Sequence, residues 1–233
     1  AALLCIGKCD RILVLVPSMD NGIEGTATSK SRLLAPLVLD NRRRYCGLSG
    51  IQLVEKRLKV DNDVFAKKFK TEVIAMALKE ASVGEPILWL DNDVIMTDPN
   101  WEAFDFSEAL EDIAICKDEG DEDRYQSGVI YAKTNRVTRE FMNKLAVQME
   151  QEDSDQRALN FLLQERHEMT ITDLHKSVYN AFPRITTAEW KGMQRGEGDE
   201  EAHSKLVHFA GQYGGADNET GELDSAVMLI SFK

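Results

Sequence analysis

Pro86-Ile87-Leu88-Trp89-Leu90-Asp91-Asn92-Asp93-Val94-Ile95-Met96-Thr97-Asp98-Pro99 is the stretch whose reading decides the fold. Four consecutive large apolar residues are too few for a helix, and the proline ahead of them can open a strand. The run therefore reads as a central strand buried on both faces. Two carboxylates follow at its carboxyl end. In open α/β sheets ligands sit at that end of the strands, so Asp91 and Asp93 belong in the crevice of a charged substrate, with Asn92 facing the other way. A pair of acids at the edge of a core is costly unless a cation balances them. Hard divalent ions such as Mg2+ or Mn2+ prefer carboxylate oxygen, so Asp-x-Asp here points to a metal that holds phosphates.

An isolated Asp-Asn-Asp is more often a turn than a metal site, because both side chains bond nearby backbone. The chain carries its own control in Asp61-Asn62-Asp63. That copy follows the charged segment Glu55 to Val60 and precedes a helix-like run, so it reads as a turn and helix cap. Context favours the second copy alone.

Upstream, Arg11-Ile12-Leu13-Val14-Leu15-Val16-Pro17 has strand composition, and Ser18 to Thr28 reads as a ligand-facing loop. Leu33, Leu34, Leu37 and Val38 recur at helical spacing from Ser29 onward, in a segment ending at Gly47 as C-cap. The arginines at 42–44 read as solvated charges that complement the helix dipole. Ile51 to Val54 is a second strand, and Phe65, Phe69, Val73, Ile74, Ala77 and Leu78 mark one face of a second helix. Strand, helix, strand, helix, strand is a nucleotide-binding half of an α/β sheet.

Downstream, Ile113 to Cys116 and Gly128 to Ala132 are strands separated by a solvated acidic loop, Asp118 to Asp123. Helices start at Arg136 and Ser154, with Met142 and Met149 as core filler. Thr170-Ile171-Thr172 is placed to join the sheet. Lys191 to Ser204, rich in glycine and acids, is a candidate lid. Leu206 to Gly211 returns to strand character and delivers His208.

The chain of 233 residues, 43% apolar and 29% charged, fits one globular α/β domain. Its net charge of −12 argues against general binding to nucleic acid or anionic membranes and suits a bound divalent cation. Cys5, Cys9, Cys46 and Cys116 lack paired metal-site spacing, and Cys116 ends an apolar run as a buried thiol. No apolar run reaches membrane-spanning length, so no membrane contact is expected. Ala1 to Ile6 is too short for a signal-peptide core. The expected location is the cytoplasm, or the Golgi lumen where an N-terminal anchor has been removed.

Five segments, in order, resemble the nucleotide-sugar glycosyltransferases of the GT-A fold, and most nearly their family 34 group of galactosyl-, xylosyl- and mannosyltransferases. They are Arg43-Arg44-Tyr45-Cys46, Trp89 to Asp98, Ser127-Gly128-Val129-Ile130, Asp155-Gln156-Arg157-Ala158-Leu159 and Val207-His208-Phe209-Ala210-Gly211. The resemblance implies a nucleoside-diphosphate sugar as donor and a glycan or glycoprotein hydroxyl as acceptor. It also implies Mn2+ or Mg2+ held by Asp91, Asp93 and His208, with Asp93 the stronger direct ligand and Asp91 closer to ribose and sugar. Val16, Pro17, Ser18 and Gly211 join Asp91 in lining the donor site. A lone histidine in an apolar strand is otherwise a core residue, and His167, His175 and His203 are left structural.

The same resemblance places Asp155 and Gln156 at the reacting sugar carbon, where a carboxylate serves as base or nucleophile and an amide positions or stabilises charge. The competing role for Asp155 is a helix cap. Two segments depart from the family pattern. Gln126 stands where an Asn is usual, and Gln212-Tyr213-Gly214-Gly215 lacks the Lys-Pro of many relatives. Phosphate contacts then fall to backbone amides or to Lys70, Lys191 or Arg195, each otherwise a plain surface charge. The expected organisation is a single domain over 1–233. Residues 1–10 are an N-terminal extension, 11–99 the nucleotide-binding half and 100–233 the acceptor and metal half. The alternatives are a sugar-nucleotide-forming nucleotidyltransferase, whose early basic phosphate loop is missing from Ser18 to Thr28, and an inactive sugar- or metal-binding module of the same fold.

Overall fold

The computed structural model describes residues 11–17, 29–49, 52–58, 63–91, 94–97, 112–118, 121–165, 168–174, 179 and 206–208. The elements follow in order as β1 (Arg11–Pro17), α1 (Ser29–Ser49), β2 (Gln52–Leu58), α2 (Asp63–Glu80), β3 (Pro86–Leu90), β4 (Val94–Met96), β5 (Ile113–Asp118), β6 (Asp121–Lys133), α3 (Arg136–Gln148), α4 (Asp155–Glu165), β7 (Ile171–Leu174) and β8 (Leu206–His208). Six strands form one sheet in the order β2-β1-β3-β6-β5-β7, and β4 pairs with β8 in a second, two-stranded sheet. Within the larger sheet β1 runs parallel to β2 and β3, and β5 parallel to β7, while β6 is antiparallel to both β3 and β5. The expected mixed sheet with a parallel first half is what the backbone forms.

All five residues of β3 are buried, as the apolar run predicts. Alternation divides them between two cores. Ile87 and Trp89 join Ile113, Ile115, Ile130 and Ala132 against the apolar faces of α2, α3 and α4. Leu88 and Leu90 join Ala114, Cys116, Val129 and Tyr131 on the opposite face, with Cys46 of α1 and Val94 and Met96 of β4. A strand sandwiched in this way has no polar face, which is why its sequence shows a continuous run rather than alternation.

Local chemistry sets the joins. Gly84 turns the chain from α2 into β3 at φ +86, a conformation that costs other residues a Cβ clash. Asn135 caps α3 through a reciprocal pair with Thr138, its side chain accepting from Thr138 N and its own N–H reaching the Thr138 hydroxyl.

Several boundaries differ from expectation. α1 continues to Ser49 and takes Gly47 inside its last turn, so Gly47 is not the C-cap. β2 runs through the charged residues to Leu58 at the edge of the sheet, and Arg43 grips Glu55 through two bonds of 2.7 and 2.9 Å. The acidic loop expected from Asp118 to Asp123 is largely strand, because β5 ends at Asp118 and β6 starts at Asp121. β4 and its pairing with β8 were not anticipated.

Candidate active site

A buried cation organises the carboxyl end of β3. Lys70 of α2 is 4% exposed. Its Nζ donates to Asp155 Oδ2 at 2.6 Å, to the Ser127 carbonyl at 2.7 Å and to Asp91 Oδ1 and Oδ2 at 2.8 and 3.0 Å. An ammonium has three N–H donors, and three acceptor groups take them. The Trp89 ring lies 5.6 Å from Nζ, within cation–π range. Lys70 is thus not the plain surface charge the sequence reading made it. It shares the buried face of α2 with Val73, Ile74, Ala77 and Leu78, and two carboxylates offset its loss of water.

The charges answer one another. Burial opposes the charge on Lys70, but Asp91 and Asp155 together outweigh it and hold the ammonium pKa above its ordinary value. Burial likewise opposes the charge on Asp155, which is 7% exposed. Lys70 and the Ser127 hydroxyl, 2.7 Å from Oδ2, outweigh that burial and hold the carboxyl below the usual range. The helix-cap role considered for Asp155 belongs to Ser154, whose Oγ accepts from Arg157 N at 3.4 Å. Both donors to Asp155 fall on Oδ2, so Oδ1 takes no hydrogen bond among the described residues.

Asp91 follows β3 and extends its ladder, donating its N–H to Gly128 O at 2.9 Å. Its Oδ1 accepts from the Trp89 indole at 2.6 Å. The turn after it is strapped to α1. Arg42, 0% exposed, donates to the carbonyls of Asp91 and Val94, the latter at 3.1 Å. Beside it the Asn41 amide both donates to Met96 O and accepts from Met96 N, each at 2.9 Å. Arg42 is therefore no solvated charge, because the carbonyls at the carboxyl end of β3 need donors and α1 packs against them. Arg43 and Arg44 are exposed, as expected.

Asn92 and Asp93 lie outside the described residues, as do Ser18, Gly211 and the 191–204 segment with Lys191 and Arg195. Of β8 only the backbone register bears on the expected ligands: it sets His208 opposite Val94 in the β4–β8 pair. β1 runs parallel to β3 with Leu13 opposite Trp89, which carries Val16 and Pro17 on toward the same carboxyl edge.

Gln156, in the first turn of α4, donates its amide N–H to Asp118 Oδ2 at 2.7 Å, and Gln126 of β6 donates to the other oxygen, Oδ1. Asp118 was expected to be solvated. It is half-buried and held by two amides, one from β6 and one from α4. Sequence reasoning named Lys70 only as an optional phosphate contact and missed the buried roles of Arg42 and Asp118, while Asp91, Asp155 and Gln156 were singled out and the structure gathers them at this end of the sheet.

The family described as nucleotide-diphospho-sugar transferase matches residues 60–220. The chain belongs to that family. The match runs from the start of α2 past β8, so it takes in Lys70, Asp91, Asp155, Gln156 and His208. Among curated proteins none matches the chain in sequence.

Solved structures share the fold of this nucleotide-diphospho-sugar transferase. A glycosyltransferase involved in glycosylation of the major capsid of PBCV-1 superposes with a TM-score of 0.62 at 13% identity, over 94% of this chain and 98% of that one. The galactosyltransferase LgtC, solved with donor and acceptor sugar analogs, gives 0.55 at 11% identity over 95% of each chain. The glycosyltransferase GlyE of Streptococcus pneumoniae gives 0.54 at 16% identity, over 96% of this chain and 61% of that one. The GT-A fold expected from the sequence is thereby borne out. So is transfer of a sugar from a nucleotide-diphospho-sugar, ahead of nucleotidyl transfer.

Proposed function

We propose that this transferase moves its sugar to a hydroxyl of a glycan or glycoprotein, with Mn2+ or Mg2+ at the diphosphate. Asp93 and His208 are the proposed direct ligands. Carboxylate oxygen suits Mn2+ or Mg2+, and an imidazole nitrogen beside it favours the softer of the two, Mn2+. Asp91 is proposed to share in the site from the side, because Lys70 and the Trp89 indole already engage its oxygens. Held there, such a cation would supply positive charge to the diphosphate leaving group. Val16, Pro17, Ser18 and Gly211 are proposed to line the donor.

The observation that carries this reading is the bridge from Asp91 through Lys70 to Asp155. It joins the end of β3, where the donor is expected, to the start of α4, where the reaction-centre pair Asp155-Gln156 was expected. Asp155 and Gln156 present oxygen toward a carbon that becomes electron-poor as the diphosphate departs, and oxygen dipoles fixed beforehand stabilise that charge without reorganising. Lys70 keeps Asp155 ionised and in place.

The test is release of nucleoside diphosphate from UDP-galactose, UDP-xylose and GDP-mannose, with and without Mn2+. Mn2+-dependent release that disappears in Asp93→Ala and in His208→Ala is the expected result. Release unaffected by chelation, or equal losses in Asp93→Ala and in the control Asp63→Ala, would defeat the assignment.

A further inference from the structure

We propose that Asp118 is a positioning residue that fixes which end of the Gln156 amide meets the donor sugar; this rests on the reading of Gln156 as a reaction-centre residue. A side-chain amide has two nearly isosteric ends of opposite polarity, and rotation by half a turn exchanges them. Near an electron-poor sugar carbon the carbonyl end stabilises and the amino end opposes. Something must choose.

An ionised carboxylate is an acceptor only. Asp118 offers Oδ2 to Gln156 Nε2 at 2.7 Å and Oδ1 to Gln126 Nε2, so each amide must turn its nitrogen inward. Gln156 Oε1 is left as the outward end, and it receives no hydrogen bond among the described residues.

The backbone is shaped to bring these groups together. The β5–β6 register shifts between Ile115 and Lys117 and again between Lys117 and Asp118, and two steps along β5 from Ile115 to Lys117 face five along β6 from Ile130 to Tyr125. The extra residues include Gln126. Irregularities of this kind re-aim side chains beside working sites. Asn160 of α4 fixes the irregular stretch by pairing with Tyr125 as a strand would, accepting from its N–H at 2.7 Å and donating to its carbonyl at 2.8 Å. The same amide donates to Gln156 O at 2.7 Å, tying the bulged strand to the turn of α4 that carries Gln156.

The test is a double-mutant cycle read by donor hydrolysis with Mn2+, which needs no acceptor, on whichever of UDP-galactose, UDP-xylose and GDP-mannose is cleaved fastest. Asp118→Asn is isosteric but offers one acceptor and one donor end, so it can no longer orient both amides. It should lower kcat about 10-fold, as loss of an orienting partner commonly does, and leave KM for the donor unchanged. In a Gln156→Ala background the same substitution should have no further effect. Asp118→Glu keeps an acceptor-only carboxylate and should retain more activity than Asp118→Asn. Equal losses from Asp118→Asn in both backgrounds, or Asp118→Asn outperforming Asp118→Glu, would overturn the proposal while leaving the reading of Gln156 intact. Full hydrolysis by Gln156→Ala would overturn both. Should Asp118→Asn fail to fold, the Asp118→Glu cycle decides alone: a KM-only effect, or a kcat loss that persists beside Gln156→Ala, counts against the proposal.

Discussion

Replacing Lys70 by methionine removes the charge and keeps most of the volume, so it isolates the electrostatic role of the bridge. Two carboxylates that were within 3.0 Å of one ammonium are then left facing each other. Breaking a buried ion pair by removing one partner costs about 3–5 kcal/mol. The lower end applies here, because the Asp91 side chain is 27% exposed and water screens it in part. For a chain of this size about 3 kcal/mol lowers Tm by about 6–12 °C.

The pH dependence carries the sign of the argument. In the parent, the folded pKa of Asp155 is depressed, so its contribution is present above the unfolded value of about 3.9 and is lost as pH falls through the folded one. The folded pKa of Lys70 is raised, so its contribution is present below the unfolded value of about 10.4 and is lost as pH rises through the folded one. Between those limits the bridge contributes a constant amount. In Lys70→Met, buried Asp155 has lost its cation, and desolvation pushes its pKa above the ordinary value. Acidification from pH 7 to 5 should therefore stabilise the variant relative to the parent. Thermal melts by circular dichroism at both pH values measure this, and adding Asp155→Asn to Lys70→Met should recover most of the loss. A Tm within about 2 °C of the parent at pH 7, or a double variant no more stable than Lys70→Met alone, would refute the reasoning.

Asp155→Asn in the parent should lower donor turnover while calorimetry shows nucleoside-diphosphate affinity nearly unchanged; full turnover would rule out an essential carboxylate. Asn41→Ala removes both side-chain bonds to Met96 and should cost about 2 kcal/mol by urea titration; it should also weaken Mn2+ binding if β4 sets the position of Asp93. Burial pushes the thiol of Cys46 up to about 11 and that of Cys116 up to about 12. Iodoacetamide at pH 8 followed by peptide mapping should leave both unlabelled in the folded protein and label both in urea, and rapid native labelling would contradict their burial.

The sheet was legible because its signals are local. A run such as Ile87 to Leu90 declares a doubly buried strand by composition, and the faces of α2 and α3 declare themselves by spacing. Boundaries were less legible where tertiary context overrides composition. The charged end of β2 is a strand because β1 supplies a ladder for it, and the tip of the β5–β6 hairpin is a strand although its acids favour a loop. The pairing of β4 with β8 joins segments more than a hundred residues apart, and three-residue strands leave no periodic signature to find.

The buried charges were misread for a different reason, and here the information was present in the spacing. Lys70 stands three, four, seven, eight and eleven residues before Val73, Ile74, Ala77, Leu78 and Ala81, all of them buried. Arg42 stands midway between buried Val38 and Cys46 at intervals of four, and Asp155 stands three, four and eight residues before buried Ala158, Leu159 and Leu163. Each charge thus occupies the apolar stripe of its own helix. A charge in that position is carried under with the stripe, and burial without a partner is too costly to survive in a stable fold. Its presence there implies a compensating group on a neighbouring element. For Lys70 and Asp155 that requirement is mutual, and Lys70 of α2 meets it by bonding both Asp155 of α4 and Asp91 at the end of β3. A cation and an acid on the core-facing stripes of two helices therefore point, from spacing alone, to a buried pairing between those helices.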